Sequence, residues 1–352
     1  MDHADRPAQR TAVPAPPPPS PSPPATRRVG RRSLVIAATG WVAVNAWVAL
    51  TVERRPFHWP ARPGGSVGQD LLDANLALVQ VLLLMGVVHL LTRRRARPDV
   101  AARAPDRTTS LRETLLLLGY GALGLAGGFL LARALGWHPF ALHVAGSIYG
   151  THSAVEPAEI LTWAGYNLLV YAVVPLAWFR RRYSALALGL RSTDRRGDLL
   201  VIVVVLLLEL TFQVLALEPR IVDLAPRQLM LGAPLTFLLY LAGAVLPAMV
   251  FIYAILVPRY LRLTGSPTAT VILGGLTYAA LHVWDAWTVL TSPNALLVSG
   301  IFLLLTYLGP GMIKTYLTLR TGNAWVHVWA YHALAPHTLV DTPHVVHSFG
   351  IR

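Results

Sequence analysis

Long apolar stretches alternate with short polar ones along most of this 352-residue chain. Apolar runs at about 33–52, 71–92, 111–136, 161–179, 199–217, 232–257, 268–290, 296–318 and 324–340 each predict a helix. A helix rising about 1.5 Å per residue needs ~20 residues to cross a hydrocarbon core of about 30 Å. The pattern therefore predicts an all-α polytopic membrane protein with eight or nine transmembrane helices, the first being an addition to an eight-helix body.

Composition agrees with the pattern. The chain is 54% hydrophobic and only 13% charged, too little charge to cover a soluble domain of this length. Its net charge of +13 comes from arginines grouped between the apolar runs, as in "RRVGRR" from Arg27, "RRRAR" from Arg93 and "FRRRY" from Phe179. The positive-inside rule explains such clusters without a nucleic-acid partner. With the N-terminus cytoplasmic, the loops 93–110, 180–198, 258–267 and 319–323 fall inside. Roughly 23 of the 30 Lys and Arg then lie on the inner side and about 7 outside. The expected partner is the lipid bilayer and the expected location the plasma membrane, as a multi-pass integral protein. The absence of cysteine excludes disulfides, thiolate metal sites and cysteine nucleophiles.

Residues 1–30 are proline-rich and predict a disordered cytoplasmic tail. Residues 31–174 form an N-terminal group of transmembrane helices, 175–342 a C-terminal transmembrane core, and 343–352 a short tail. The outer loop 137–160 has three His and two Glu and no Lys or Arg. It is expected to lie along the membrane surface, its spacing matching no metal-binding motif.

Ionisable groups at bilayer depth are costly and are therefore functional candidates. His89 and Glu113 sit near helix ends, where structural roles suffice. Glu209, His282, Asp285 and His332 fall within roughly 14 Å of one another in depth, counted along their helices, and are expected to face one cavity. His282 and Asp285 stand at i and i+3, so a carboxylate lies beside an imidazole and can fix its tautomer. Together with His332 they make a set of two His and one carboxylate, which suits zinc or iron. Nothing else in the sequence indicates a cofactor. His327, His332 and His337 recur every five residues, a spacing that spreads them around an α-helix and off any single face. His344 and His347 are expected outside the membrane.

The C-terminal core resembles the CPBP family of intramembrane proteases, which includes CAAX-type prenyl proteases and bacteriocin-processing enzymes. The resemblance covers about residues 175–340. "WFRRRYSALALGLRSTDRRGDLL" is similar to the family's basic entry loop. "TYAALH" is similar to its second motif, giving Tyr278 and His282, and "GMIKTYLTLRTGNAWVHVWAYHALAP" to its last segment, giving His332. The resemblance implies an intramembrane peptidase acting on a membrane-associated or lipid-modified peptide.

One motif is missing. The family's paired glutamates and following arginine map onto Pro247, Ala248 and Ile252, none of which carries a proton. Pro336 also stands where the family usually has asparagine. A family glutamate is thought to activate water, and a general base contributes about 10²- to 10⁴-fold in rate. Three readings stay open on the sequence. The first is a non-standard site with Glu209 as base, or with Asp285 beside His282 and His332. The second is a non-catalytic scaffold or binding pseudoprotease. The third is a transporter or proton relay.

Overall fold

The computed structural model describes residues 24–57, 65–147, 155–217 and 220–352. Its helices follow the predicted order: α1 (Pro24–Thr51), α2 (Val67–Thr92), α3 (Arg107–Leu135), α4 (Pro157–Arg180), α5 (Arg195–Leu217), α6 (Pro226–Thr264), α7 (Pro267–Ala280), α8 (Pro293–Thr321), and helical turns over 325–348, here α9. Seven of them, α1 to α6 and α8, are long and apolar enough to cross a membrane, and no strand occurs among the described residues. The protein is thus an all-α, multi-pass membrane protein. Most of the predicted N-terminal tail lies outside the described residues, but α1 already begins at Pro24, inside its expected range.

Two predicted spans take other forms. The helix expected over 268–290 stops at Ala280, and residues 281–291 continue as turns. The run expected over 324–340 extends to Ser348 but is wound mostly as π-helix at Val328–His332 and Leu334–Leu339.

Prolines explain much of the π winding. A proline lacks the N–H and its ring presses on the carbonyl four residues back, and a π turn relieves both by widening the helix. Leu168–Val173 is π just before Pro175, Leu241–Val245 just before Pro247, and Met249–Leu256 just before Pro258.

Buried and exposed side chains divide the helices. Residues 244–257 of α6 are buried except Leu246, which makes α6 the central post of the bundle. Apolar side chains such as Leu76, Leu115, Leu123, Leu207 and Leu215 instead point outward from α2, α3 and α5. An outward apolar belt suits lipid, where backbone polar groups must be satisfied within each helix. Helices α7 and α8 touch at their backbones. A Cβ on Gly275 would meet the Leu308 carbonyl oxygen at 2.7 Å, and one on Gly311 would meet the Gly275 Cα at 2.7 Å. This approach sets Tyr278 and the turn after α7 against Tyr307 and Lys314 of α8.

One end of the bundle is tied by ion pairs. Arg259 of α6 donates from Nε to Glu113 of α3 at 2.8 Å, and the Tyr183 hydroxyl donates to the same carboxylate at 2.8 Å. The guanidinium also lies over the rings of Phe179 and Tyr183. Arg95 bridges Asp194 and Asp198, each at 2.8 Å, while Asn323 and Ser192 donate to Asp198. Glu113 therefore has the structural role expected of it.

Candidate functional site

The polar groups of the bundle interior gather at the ends of α7 and α9 and along α8. After α7 stops, Asp285 N donates to His282 O at 2.9 Å, and this turn sets the two side chains together. Nδ1 of His282 lies 3.2 Å from both Asp285 oxygens. The Tyr307 hydroxyl donates to Asp285 Oδ2 at 2.5 Å, and its ring stacks on His282 at 3.8 Å between centroids. The predicted pairing of His282 with Asp285 is present, both side chains being fully buried.

A third group joins them from an unexpected place. Residues 140–147 of the outer loop are all buried instead of lying on the membrane surface. Their backbone is held inside because Trp163 Nε1 and Asn167 Nδ2 of α4 both donate to the Ala141 carbonyl, at 2.8 and 2.7 Å. This fold-back delivers His143, whose Nδ1 lies 3.3 Å from Asp285 Oδ2 and 3.0 Å from the Tyr307 hydroxyl. One donor atom each from His143, His282 and Asp285 fit within 4.8 Å of one another, a group of metal-ligating type. His143 thus takes the place that sequence spacing assigned to His332.

His332 is nearby but differently partnered. Its Nε2 lies 3.2 Å from the Tyr278 hydroxyl, and Tyr278 is also in edge contact with His282. The ring of His332 neighbours those of His327 and His337, with centroids 5.8 and 5.3 Å away. The expectation that these three histidines share no face fails for a geometric reason. In a π ladder the bond runs from residue i to i+5, so residues five apart sit one turn above another. Ala333 N donates to Val328 O at 2.9 Å and Thr338 N to Ala333 O at 3.3 Å, bonds of this type. His337 also has a carboxylate behind it, Asp341 Oδ2 at 3.3 Å from Nδ1, and stacks on Tyr240.

Glu209 is fully buried but turned to other partners. Gln80 donates to its Oε2 at 2.9 Å and Gln213 to its Oε1 at 2.8 Å, so both oxygens are occupied by amides. The carboxylates on the histidines are Asp285 and Asp341. Sequence reading also passed over Lys314, buried on α8 with Nζ 3.7 Å from the centre of the Tyr278 ring, a cation–π contact. No ion pair within 4.0 Å forms to it among the described residues.

A cavity of about 580 Å³ lies beside these groups; of the four residues expected to face one cavity, His332 lines it, whereas Glu209, His282 and Asp285 lie behind its wall. Its inner wall includes His143, Tyr278, Tyr307, Lys314, His332 and His337, and Gln80 and Gln213 stand in front of Glu209. Its outer wall includes Leu76, Val79 and Leu83 of α2 and Leu215 of α5, all of which are exposed on the lipid-facing side. The cavity therefore opens sideways, between α2 and α5. Pro247 and Ala248, where the family glutamates would stand, are buried in packed hydrocarbon.

No family model, no curated protein and no solved structure matches this chain.

Proposed function

We propose that this chain is a membrane-embedded hydrolase of the CPBP-like type with a non-standard active site, whose substrate enters from the lipid. The observation that carries the reading is the sideways-opening cavity with a carboxylate-backed histidine and a buried lysine at its inner end. His337 is the base in place of the missing glutamates. Asp341 holds its Nδ1, Tyr240 fixes the ring plane, and its buried Nε2, with no hydrogen-bond partner among the described residues, takes a proton from water. Lys314 and the Tyr278 hydroxyl supply the positive charge and the donor that a developing oxyanion needs. The membrane-side opening suits a lipid-modified peptide, with a cytoplasmic N-terminus and the plasma membrane as the setting.

Reconstituted protein incubated with prenylated and acylated peptides in ¹⁸O-water tests this. Wild type is expected to place ¹⁸O in a new carboxyl group, and His337→Ala and Lys314→Met to lose about 10²- to 10⁴-fold in rate. Equal incorporation by wild type and His337→Ala removes the assignment. A binding role without turnover is the second reading, favoured by the buried Pro247 and Ala248. It is supported if wild type retains such peptides and hydrolyses none.

A further inference from the structure

We propose that His143, His282 and Asp285 bind a divalent transition-metal ion of the zinc class, with the Tyr307 hydroxyl holding the carboxylate beside it. The site goes beyond the hydrolase reading and does not depend on it, since His337 and Lys314 belong to neither its donors nor its geometry.

The donors come from two separate parts of the chain, the folded-back loop and the turn after α7, and local spacing pairs only His282 with Asp285. All are buried, His282 and Asp285 completely and His143 and the neighbouring Tyr307 to within 5%. Four ligands at about 2.0–2.2 Å around a tetrahedral ion lie about 3.3 Å from one another. Two edges here have that length: 3.3 Å from His143 Nδ1 to Asp285, and 3.2 Å from His282 Nδ1 to Asp285. The Tyr307 hydroxyl, 2.5 Å from Asp285 Oδ2 and 3.0 Å from His143 Nδ1, hydrogen-bonds the carboxylate and is not a separate ligand.

The Tyr307 hydroxyl donates to Asp285, which fixes the carboxylate between the two imidazoles. Nε2 of His282 is buried and has no hydrogen-bond partner among the described residues, so the ring still offers a nitrogen that no donor occupies. Two imidazoles and one carboxylate make a set that zinc accepts and that calcium or magnesium, which take oxygen ligands, does not favour.

The test uses the full chain, expressed in zinc-supplemented medium without a polyhistidine tag and purified in detergent. Metal analysis is expected to find roughly stoichiometric zinc in wild type and in His332→Ala. Asp285→Asn and His143→Ala are each expected to lose most of it. Replacement by cobalt is expected to give the visible absorption of a four-coordinate site in wild type alone among wild type, D285N and H143A. Where a variant folds poorly, the wild type decides: added zinc should raise its unfolding temperature and a chelator should reverse the rise. Wild-type protein that is monodisperse but metal-free and indifferent to zinc overturns the proposal. So does zinc content unchanged by D285N and H143A, or lost equally in His332→Ala.

Discussion

Two buried polar regions of this bundle follow opposite rules. At the basic end, Arg259 meets Glu113, and Arg95 meets Asp194 and Asp198, so charge is answered by charge. In the interior, Lys314 lies over the rings of Tyr278 and Tyr331 with no ion pair within 4.0 Å among the described residues, and His282 Nε2, both nitrogens of His327, His332 Nδ1 and His337 Nε2 lack hydrogen-bond partners among the described residues. Each unmet group is costly in a membrane interior. The first region is built to hold helices together. The second leaves buried nitrogens without a partner among the described residues.

Mutations can break this contrast, and the largest effect is expected at the clamp. Arg259→Met takes away the buried cation of Glu113, leaving it the Tyr183 hydroxyl and the exposed Arg182 at 4.0 Å, and should cost about 3–5 kcal/mol in unfolding experiments. Adding Glu113→Leu should recover most of that loss, since neither charge then remains. Asp198→Ala removes the acceptor shared by Arg95, Asn323 and Ser192 and should cost about 1–3 kcal/mol, read the same way. The interior should behave differently. Lys314→Met and His327→Phe are expected to leave the unfolding midpoint within about 1 kcal/mol of wild type or to raise it, because each removes a polar group with no ion pair or hydrogen bond to lose. A loss as large as that of Arg259→Met would show the two regions to be of one kind.

The smallest effect expected lies at the opposite end of the bundle and depends on pH. His138 donates from its backbone N to Glu159 Oε1 at 3.0 Å, and its Nδ1 lies 2.9 Å from the same oxygen. The hydrogen bond to Glu159 raises the His138 value above its usual 6.5, against a lowering by burial. A raised folded value means that the stabilisation is fully present below pH about 6.5 and is lost as pH rises through the folded value. The difference in unfolding temperature between wild type and His138→Gln should therefore shrink from acid to mildly alkaline pH. Because His138 is partly exposed, solvent keeps the effect small. A difference that grows with pH would contradict the pairing.

Much of this protein was legible in the chain, for physical reasons. The all-α, multi-pass class and the order of the helices follow from apolar length, because a membrane demands long apolar runs, but of the eight or nine spans expected, seven helices are long and apolar enough to cross. The pairing of His282 with Asp285 follows from i, i+3 spacing, which a helix and the observed turn both satisfy. The His327, His332 and His337 series was misplaced because its five-residue repeat fits π winding and not α winding. Prolines at 336 and 343 were the available signal that this segment departs from α geometry. Lys314 was passed over as one polar residue in an apolar run, although a lone lysine at that depth marks a cavity.

Sequence by itself determined the medium in which this protein folds, the ladder of helices and one of its histidine–carboxylate pairs, because those depend on composition and on neighbours a turn apart. Only the tertiary structure decided that His143 is inside, that it and not His332 stands on Asp285, and that Gln80 and Gln213 draw Glu209 aside. The His143 contacts and the Gln80–Glu209 bond join residues 129 to 164 positions apart, while Gln213 is four residues from Glu209, and the long-range ones rest on how helices pack and how a loop is captured by Trp163 and Asn167. No local pattern encodes such distances; the packing of the whole bundle does.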